Sequence, residues 1–286
     1  MLLFGPSGNP ESYYARGLKS SEDSAVFTRE MGLDLFEYSF GRGVNLSAER
    51  AAAIGKAFAE NGVELSVHAP YYVNFANPDP EMVQKSTGYI LRCLERMKDL
   101  GIRRCVFHPA AQGKLERSAA AALMKDNVRR MLDAVEEAGF SDFILCPETM
   151  GKVGQMGTLP EVLSLCELDP RLIPCLDFGH INAREQGLLK DKAAFRELLD
   201  YLYDHLDRER ADAMHVHFSK IEYGPKGELR HLTFEDRKYG PDFEPLLDLL
   251  FERNSSARIL SESAGTQAED ALAMKAYYQK LSAGPA

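Results

Sequence analysis

Residues Ile173–Ala183 read I-P-C-L-D-F-G-H-I-N-A, the pattern of a buried strand that ends in polar side chains. The apolar run lies beside Pro174 and leads to Asp177 and His180, which can both coordinate a metal ion. Gly179 would let the backbone turn sharply between them. The alternative is a strand-to-loop turn in which Asp177 caps a helix and His180 lies at the surface. The metal interpretation is favoured because several other predicted strands end in the same way.

Strand-length apolar runs alternate with helix-periodic segments along the whole chain. The predicted strands are Leu2–Phe4, Leu33–Phe40, Leu65–His68, Cys105–His108, Phe143–Glu148, Ile173–Asp177, Ala213–Phe218 and Ile259–Glu262. The predicted helices are Ala48–Asn61, Pro80–Leu100, Ser118–Ala138, Leu159–Leu168, Lys190–His205, Phe243–Arg253 and Thr266–Leu281. This alternation predicts an α/β fold, a single (β/α)8 TIM barrel over residues 1–286. A doubly wound open sheet is the alternative, but no G-x-G-x-x-G follows an early strand.

Composition and charge are those of a globular protein. Of 286 residues, 45% are hydrophobic and 27% charged, and no apolar run has the length of a membrane helix. The N-terminal ten residues lack the basic and apolar regions of a secretion signal. The five cysteines form no C-x-x-C pair, and three of them lie in predicted strands, where we expect reduced, buried thiols; a cytoplasmic location follows. The net charge of −9 argues against a general nucleic-acid coat protein, but not against a nucleic-acid enzyme whose bound cations line its cleft.

Six consecutive predicted strands, the third to the eighth, finish with His, Asp or Glu. In order, these residues are His68, His108, Glu148, Asp177 with His180, His215 with His217, and Glu262. In a barrel the carboxyl ends of all strands meet around one mouth. Buried carboxylates would repel each other there unless a cation held them. The mixture of nitrogen and oxygen ligands predicts a Zn²⁺ site, with Mn²⁺ or Fe²⁺ as alternatives.

The motifs around these residues resemble those of one family. They are S-V-H-A-P-Y-Y-V-N, V-F-H-P, C-P-E-T-M-G-K-V-G, L-D-F-G-H, M-H-V-H-F-S-K and L-S-E-S. In order and spacing they are similar to the endonuclease IV family, metal-dependent apurinic/apyrimidinic (AP) endonucleases of the xylose-isomerase-like TIM barrel group. The resemblance extends over roughly Glu64–Gly265 and is weak in the first sixty residues.

The resemblance implies two or three zinc ions. By site, it implies these ligands: His68, His108 and Glu148 for the first; Glu148, Asp177, His215 and Glu262 for the second; His180 and His231 for the third. The family also has an Asp two residues before the last of these histidines, where this chain has Leu229. Glu228 and His217 are candidates to replace that Asp; otherwise the third metal is weak or absent.

The activity implied by the resemblance is DNA repair by hydrolysis of the phosphodiester 5′ to an abasic site. Two bridged metal ions would lower the pKa of a bound water and so supply a hydroxide nucleophile. Glu148 would bridge the ions, and Glu262 would orient the nucleophile. The partner would be damaged DNA, and no obligate protein partner is implied.

Five residues near the mouth are candidates for binding the substrate. Tyr71, Tyr72 and Asn74 lie on the loop that enters DNA in the family, where exposed rings could stack. Alternatively, the two tyrosines pack over the barrel rim. Lys152 and Lys220 flank the metal strands and are candidates to contact phosphates, although isolated lysines are usually only solvated.

A sugar isomerase or epimerase of the same barrel group is the alternative function. Such an enzyme would use a single divalent metal, held by Glu148, Asp177, His215 and Glu262, and its partner would be a small sugar. Metal-assisted proton transfer beside a carbonyl would be the chemistry. His68 and His108 favour the nuclease, because a one-metal enzyme has no obvious need for two further imidazoles. A barrel that only binds a ligand is a third possibility.

Overall fold

The computed structural model describes residues 1–283. Its strands are β1 Leu3–Pro6, β2 Leu35–Ser39, β3 Glu64–His68, β4 Arg104–Phe107, β5 Ala110–Ala111, β6 Ile144–Pro147, β7 Gln155–Met156, β8 Cys175–Asp177, β9 His215–Phe218, β10 Lys220–Gly224, β11 Gly227–Leu232 and β12 Arg258–Ser261. Its helices are α1 Glu11–Ala15, α2 Ser21–Glu30, α3 Ala48–Glu60, α4 Pro80–Leu100, α5 Arg117–Glu137, α6 Leu159–Cys166, α7 Phe178–Arg184, α8 Lys192–His205, α9 Arg208–Asp212, α10 Glu244–Glu252 and α11 Gln267–Ala283.

Eight of these strands close into a parallel barrel. One ladder runs β1–β12–β9–β8 and another runs β2–β3–β4–β6. Parallel bridges join the two ladders, at Ser7 with Glu37 on one side and at Glu148 with Cys175 on the other. Each barrel strand overlaps one predicted strand, so the predicted (β/α)8 barrel is confirmed.

Alternation along the strands separates an inner from an outer face. Cys105, Phe107 and Leu145 pack outward in the large core shared with the helices. Val106 and Cys146, their neighbours in sequence, pack with residues of other strands in a small separate cluster inside the barrel. Side chains two residues apart on a strand therefore lie in successive interior layers, which decides what each residue can reach.

Several elements were not predicted. Helices α1 and α2 fill the connection between β1 and β2, and the hairpin β10–β11 follows β9 directly. Helix α7 begins at Phe178, immediately after β8, where we expected a turn at Gly179. Instead, Gly179 lies inside the helix, where an added Cβ would come within 2.5 Å of the carbonyl oxygen of Ser219. The glycine permits close packing against the strand end rather than a sharp turn.

The cysteines are all buried and unpaired, as predicted. Among residues 1–283, none of the helices combines the length and apolar content required to cross a bilayer.

Candidate metal centre

A cavity of about 270 Å³ opens at the carboxyl ends of the barrel strands. Its lining includes most of the predicted ligands, together with residues from several loops. The titratable side chains that line it are His68, His108, Glu148, Lys152, His180, Glu228, His231, Glu262 and Tyr71. The predicted convergence of the strand ends therefore takes place in the folded chain.

Glu148 is the central carboxylate of this cavity, with a side chain only 1% exposed. His68 Nε2 and His108 Nε2 each lie 3.1 Å from Glu148 Oε2. On the other side, His217 Nδ1 lies 3.2 Å from Glu148 Oε1. Burial would raise the pKa of Glu148, but the surrounding imidazoles, His108 first, lower it well below its ordinary value. Glu148 is thus an ionised carboxylate whose two oxygens face two different groups of ligands.

Backbone carbonyls orient two of the imidazoles. His68 Nδ1 lies 2.8 Å from the carbonyl oxygen of Ala69, and His180 Nδ1 lies 3.0 Å from that of Thr149. A carbonyl oxygen only accepts hydrogen bonds, so each contact favours a proton on Nδ1. The Nε2 lone pair of each ring is then free to bind a metal ion, which is the arrangement common around metal-binding histidines.

Asp177 has features of both interpretations made from the sequence, the helix cap and the metal ligand. Its Oδ1 accepts a hydrogen bond of 2.7 Å from the backbone nitrogen of His180 and so caps α7. Its Oδ2, however, is buried and accepts no hydrogen bond within residues 1–283. Burial, with Glu262 and Glu148 nearby, raises the pKa of Asp177 to about 6. The His180 side chain is 6% exposed and lies in the site rather than at the surface.

One predicted ligand is corrected. His217, not His215, lies beside Glu148, Asp177 and Glu262, and the ligand atoms of these four residues lie within 4.8 Å of one another. The strand register explains the difference, because Asp177 pairs with His217 whereas Cys175 pairs with His215. Both imidazoles face the barrel interior, but His215 lies one layer deeper.

A further group forms where the third metal was expected. Glu228 lies 3.5 Å from His180 Nε2 and 3.9 Å from His231 Nε2, as measured from its two carboxylate oxygens. Leu229 is 61% exposed. The pairing of β10 with β11 shifts register between Glu222 and Tyr223, the irregularity of a β-bulge, which places Glu228 rather than Leu229 toward the cavity. This is the one-residue shift considered from the sequence.

The loop residues predicted to bind the substrate differ in whether they reach the cavity. Tyr71 and Tyr72 are 48% and 49% exposed, with ring centroids 4.4 Å apart, and Tyr71 lines the cavity. Asn74 does not line it. Its Oδ1 accepts hydrogen bonds of 3.1 Å from the backbone nitrogens of Ala76 and Ala111, so this side chain stabilises the loop.

The two predicted lysines also differ. Lys152 is exposed and lines the cavity. Lys220 is buried, and its Nζ lies 2.8 Å from both the carbonyl oxygen of Asp236 and Asp242 Oδ1. Lys220 faces a neighbouring cavity and stabilises the loop after β11, so its predicted contact with a substrate phosphate is corrected.

Some residues of the centre were not among the predicted ligands. Ser7 Oγ lies within hydrogen-bonding distance of both Glu37 (3.2 Å) and Glu262 (3.3 Å). Glu37 contacts His217 from below. The strand period of two would place Glu37 inside the barrel, but neither its layer nor the contact of Ser7 with Glu262 is visible from local sequence.

These residues fit bound divalent cations. Their donors are imidazole nitrogens and carboxylate oxygens, the set that suits zinc and similar metals. Asp177 Oδ2 is a further sign, since this buried oxygen accepts no hydrogen bond from the described residues although His180 Nδ1 lies 3.2 Å away. The candidate groups, each with ligand atoms within 4.8 Å, are His68–His108–Glu148, Glu148–Asp177–His217–Glu262, His180–Glu228–His231 and, deeper, Cys175–His215–His217.

The chain is a TIM barrel whose strand ends converge on a set of candidate metal ligands. The chain belongs to the xylose isomerase-like TIM barrel family, whose sequence model matches residues 26–277. It is 32% identical over 278 residues to an uncharacterised protein of Methanocaldococcus jannaschii, and the match covers 97% of each chain. It is also 26% identical over 200 residues to a probable endonuclease 4 of Mycoplasmoides gallisepticum, which covers 68% of this chain but only 62% of that relative.

Solved structures share the fold. Endonuclease IV from Thermus thermophilus superposes with a TM-score of 0.68 and 20% identity, covering 97% of this chain and 98% of that one. A D-tagatose 3-epimerase-like protein gives a TM-score of 0.70 and 19% identity, covering 97% and 96%. The predicted resemblance to endonuclease IV proteins is confirmed, and the same fold also occurs in epimerases.

Proposed function

We propose that this chain is a metal-dependent phosphodiesterase that hydrolyses DNA on the 5′ side of abasic sites, with two or three zinc ions as its cofactor. The observation that carries the proposal is the position of Glu148 between two ligand groups. His68 and His108 face one of its oxygens, and His217 faces the other. A carboxylate in this position is suited to bridging two cations. The sequence similarity to a probable endonuclease 4 supports the same assignment.

Divalent ions held by these groups would supply the Lewis acidity that activates water and offsets the charge of a phosphodiester. The chain's own residues orient the reactants. Glu262 is the most exposed carboxylate of its group, and the Ser7 hydroxyl at 3.3 Å holds one of its oxygens in place. It is therefore suited to orient a water and to accept its proton.

Residues around the cavity would bind the DNA. The exposed Tyr71–Tyr72 pair offers ring faces on which bases can stack, and Lys152 offers a positive charge at the rim for a phosphate. The cavity itself contains the carboxylates of Glu148, Glu228 and Glu262. Binding of an anionic substrate therefore depends on bound cations to offset the negative charge.

A single-metal sugar isomerase or epimerase is the second candidate. The group Glu148, Asp177, His217 and Glu262 supplies the ligands such an enzyme needs, and an epimerase-like protein has the same fold. This candidate leaves His68 and His108 without a role. Both imidazoles contact Glu148, which is also a member of the second ligand group. This sharing favours the phosphodiesterase.

The test is incubation of the zinc-loaded protein with a DNA duplex that contains one abasic site. We expect cleavage on the 5′ side of that site and none of an intact duplex. Metal analysis should give more than one zinc per chain. One metal per chain, with no DNA cleavage and with epimerisation of a ketose, would establish the second candidate instead.

A further inference from the structure

Directly below the mouth, one carboxylate contacts both histidines of β9. Glu37 is fully buried, and its two oxygens lie 3.0 Å from His215 Nε2 and 2.8 Å from His217 Nε2. Ser66 Oγ donates a hydrogen bond of 3.1 Å to the first oxygen, and Ser7 Oγ lies 3.2 Å from the second. Four polar groups from β9, β3 and the end of β1 thus surround one buried acid.

His217 faces two carboxylate environments at once. Its Nε2 faces Glu37, while its Nδ1 lies 3.2 Å from Glu148 Oε1 and 3.5 Å from Glu262 Oε1. An imidazole that keeps its proton on one nitrogen has a lone pair on the other. The contact with Glu37 is the shortest of the three, so it favours a proton on Nε2 and leaves the Nδ1 lone pair for a cation.

The surroundings of Glu37 agree with this arrangement. Each of its oxygens faces one imidazole nitrogen of β9 and one serine hydroxyl, groups that can all act as donors to it. His217 and Ser7 both connect Glu37 to the mouth, and of the two only His217 is a candidate metal ligand.

We propose that Glu37 is a positioning residue of the metal centre: it fixes the tautomer and orientation of His217, so that Nδ1 binds the metal shared with Asp177 and Glu262. Carboxylates that accept the second N–H of a ligand histidine orient the ring and make it a stronger ligand. The inference rests on the metal centre of the proposed function but not on the DNA substrate.

The first experiment measures zinc affinity of Glu37→Gln by chelator competition. The amide keeps the shape but is a weaker acceptor, and we expect affinity at the group containing His217 to fall by about 10- to 100-fold. In the cobalt-substituted protein the visible absorption bands should shift. Ser66→Ala is the matched control, because it removes a contact to Glu37 without touching His217, and it should change affinity by less than about threefold. Glu37→Asp should restore part of the affinity.

A second measurement uses the unmodified protein and is informative even if Glu37→Gln does not fold. Nitrogen NMR of zinc-loaded, histidine-labelled protein should show His217 protonated on Nε2 and metal-bound through Nδ1. A folded Glu37→Gln variant with unchanged zinc affinity and cobalt spectrum would overturn the inference, as would metal binding through Nε2. Neither readout uses DNA. If the zinc-loaded wild-type protein fails to cleave abasic DNA while these results hold, the proposed function fails and this inference stands.

Discussion

The two ends of the barrel both contain charged residues around a cavity, but their charges are arranged differently. At the amino ends of the strands, a cavity of about 340 Å³ is lined by Arg103, Arg104 and Arg258. Arg258 pairs with Glu64, and Arg104 donates a hydrogen bond of 3.0 Å to the carbonyl oxygen of Ala213. The cavity at the mouth is smaller, about 270 Å³, yet its carboxylates and imidazoles cluster in shared groups.

Cavity size therefore does not identify the functional end of the barrel. At the amino end, the Glu64 carboxylate faces an arginine, a permanent cation that satisfies it locally. At the mouth, the partners of the carboxylates are imidazoles, and Asp177 Oδ2 has no hydrogen-bond partner in the described chain. The imidazoles and carboxylates at the mouth cannot all satisfy one another. Bound cations would supply the missing partners.

The largest effect should come from Glu148→Gln. The amide cannot bridge two cations, and we expect phosphodiester cleavage to fall by about 10²- to 10³-fold, the range for loss of one key electrostatic group. Steady-state kinetics and metal analysis measure this. Glu64→Gln removes a carboxylate at the opposite end and should leave both unchanged. Equal losses of cleavage rate and bound metal in the two variants would contradict a functional difference between the two ends of the barrel.

Removal of metal should lower the stability of the fold, and this loss should depend on residues of the mouth and not on residues of the amino end. Zinc at 100 times its dissociation constant should stabilise the fold by about 2.7 kcal/mol, through linkage of binding to folding. Calorimetry should therefore show a Tm lower by several degrees after chelation. The same shift should persist in Glu64→Gln and shrink in Glu148→Gln. No change in Tm on chelation would contradict a metal centre.

Gly151→Ala should affect one group of the mouth only. A Cβ at Gly151 would lie 2.7 Å from Glu228 Cβ and 2.8 Å from His180 Cδ2, so these ligands must move. Overpacking costs roughly 1–3 kcal/mol, and we expect about tenfold weaker binding of one metal equivalent. Gly154→Ala, where a Cβ would meet nothing within 4 Å, is the control. Zinc titration by calorimetry distinguishes the two variants.

The smallest effect should come from Tyr71→Ala. Loss of one stacking ring should weaken binding of abasic DNA by about 1 kcal/mol, roughly fivefold, without changing metal content. Fluorescence anisotropy with labelled duplex measures the affinity. Tyr201→Ala removes an aromatic ring that stacks on His205 in α8, and it should leave DNA binding unchanged. A tyrosine pair that only covers the rim would give equal affinities for both variants.

The local sequence was sufficient for the barrel and for most of the candidate ligands. Strand-length apolar runs and helical periodicity predicted all eight barrel strands, because both patterns are local. His68, His108, Glu148 and Glu262 follow from a rule that needs only the strand ends. Asn74 and Lys220 were less accessible to sequence reasoning, since their partners lie on loops distant in the chain.

Which strands finish with metal-binding side chains follows from the order of residues, because that order sets where each apolar run stops. Which of those side chains lie at one level depends on how the strands pair in the folded barrel. Register placed His217 beside Asp177 and His215 a layer deeper, a bulge turned Glu228 toward His180, and barrel closure brought Glu37 under His217. The physical reason is that depth in a barrel depends on hydrogen-bonded pairing between strands, which the pattern within one strand does not encode.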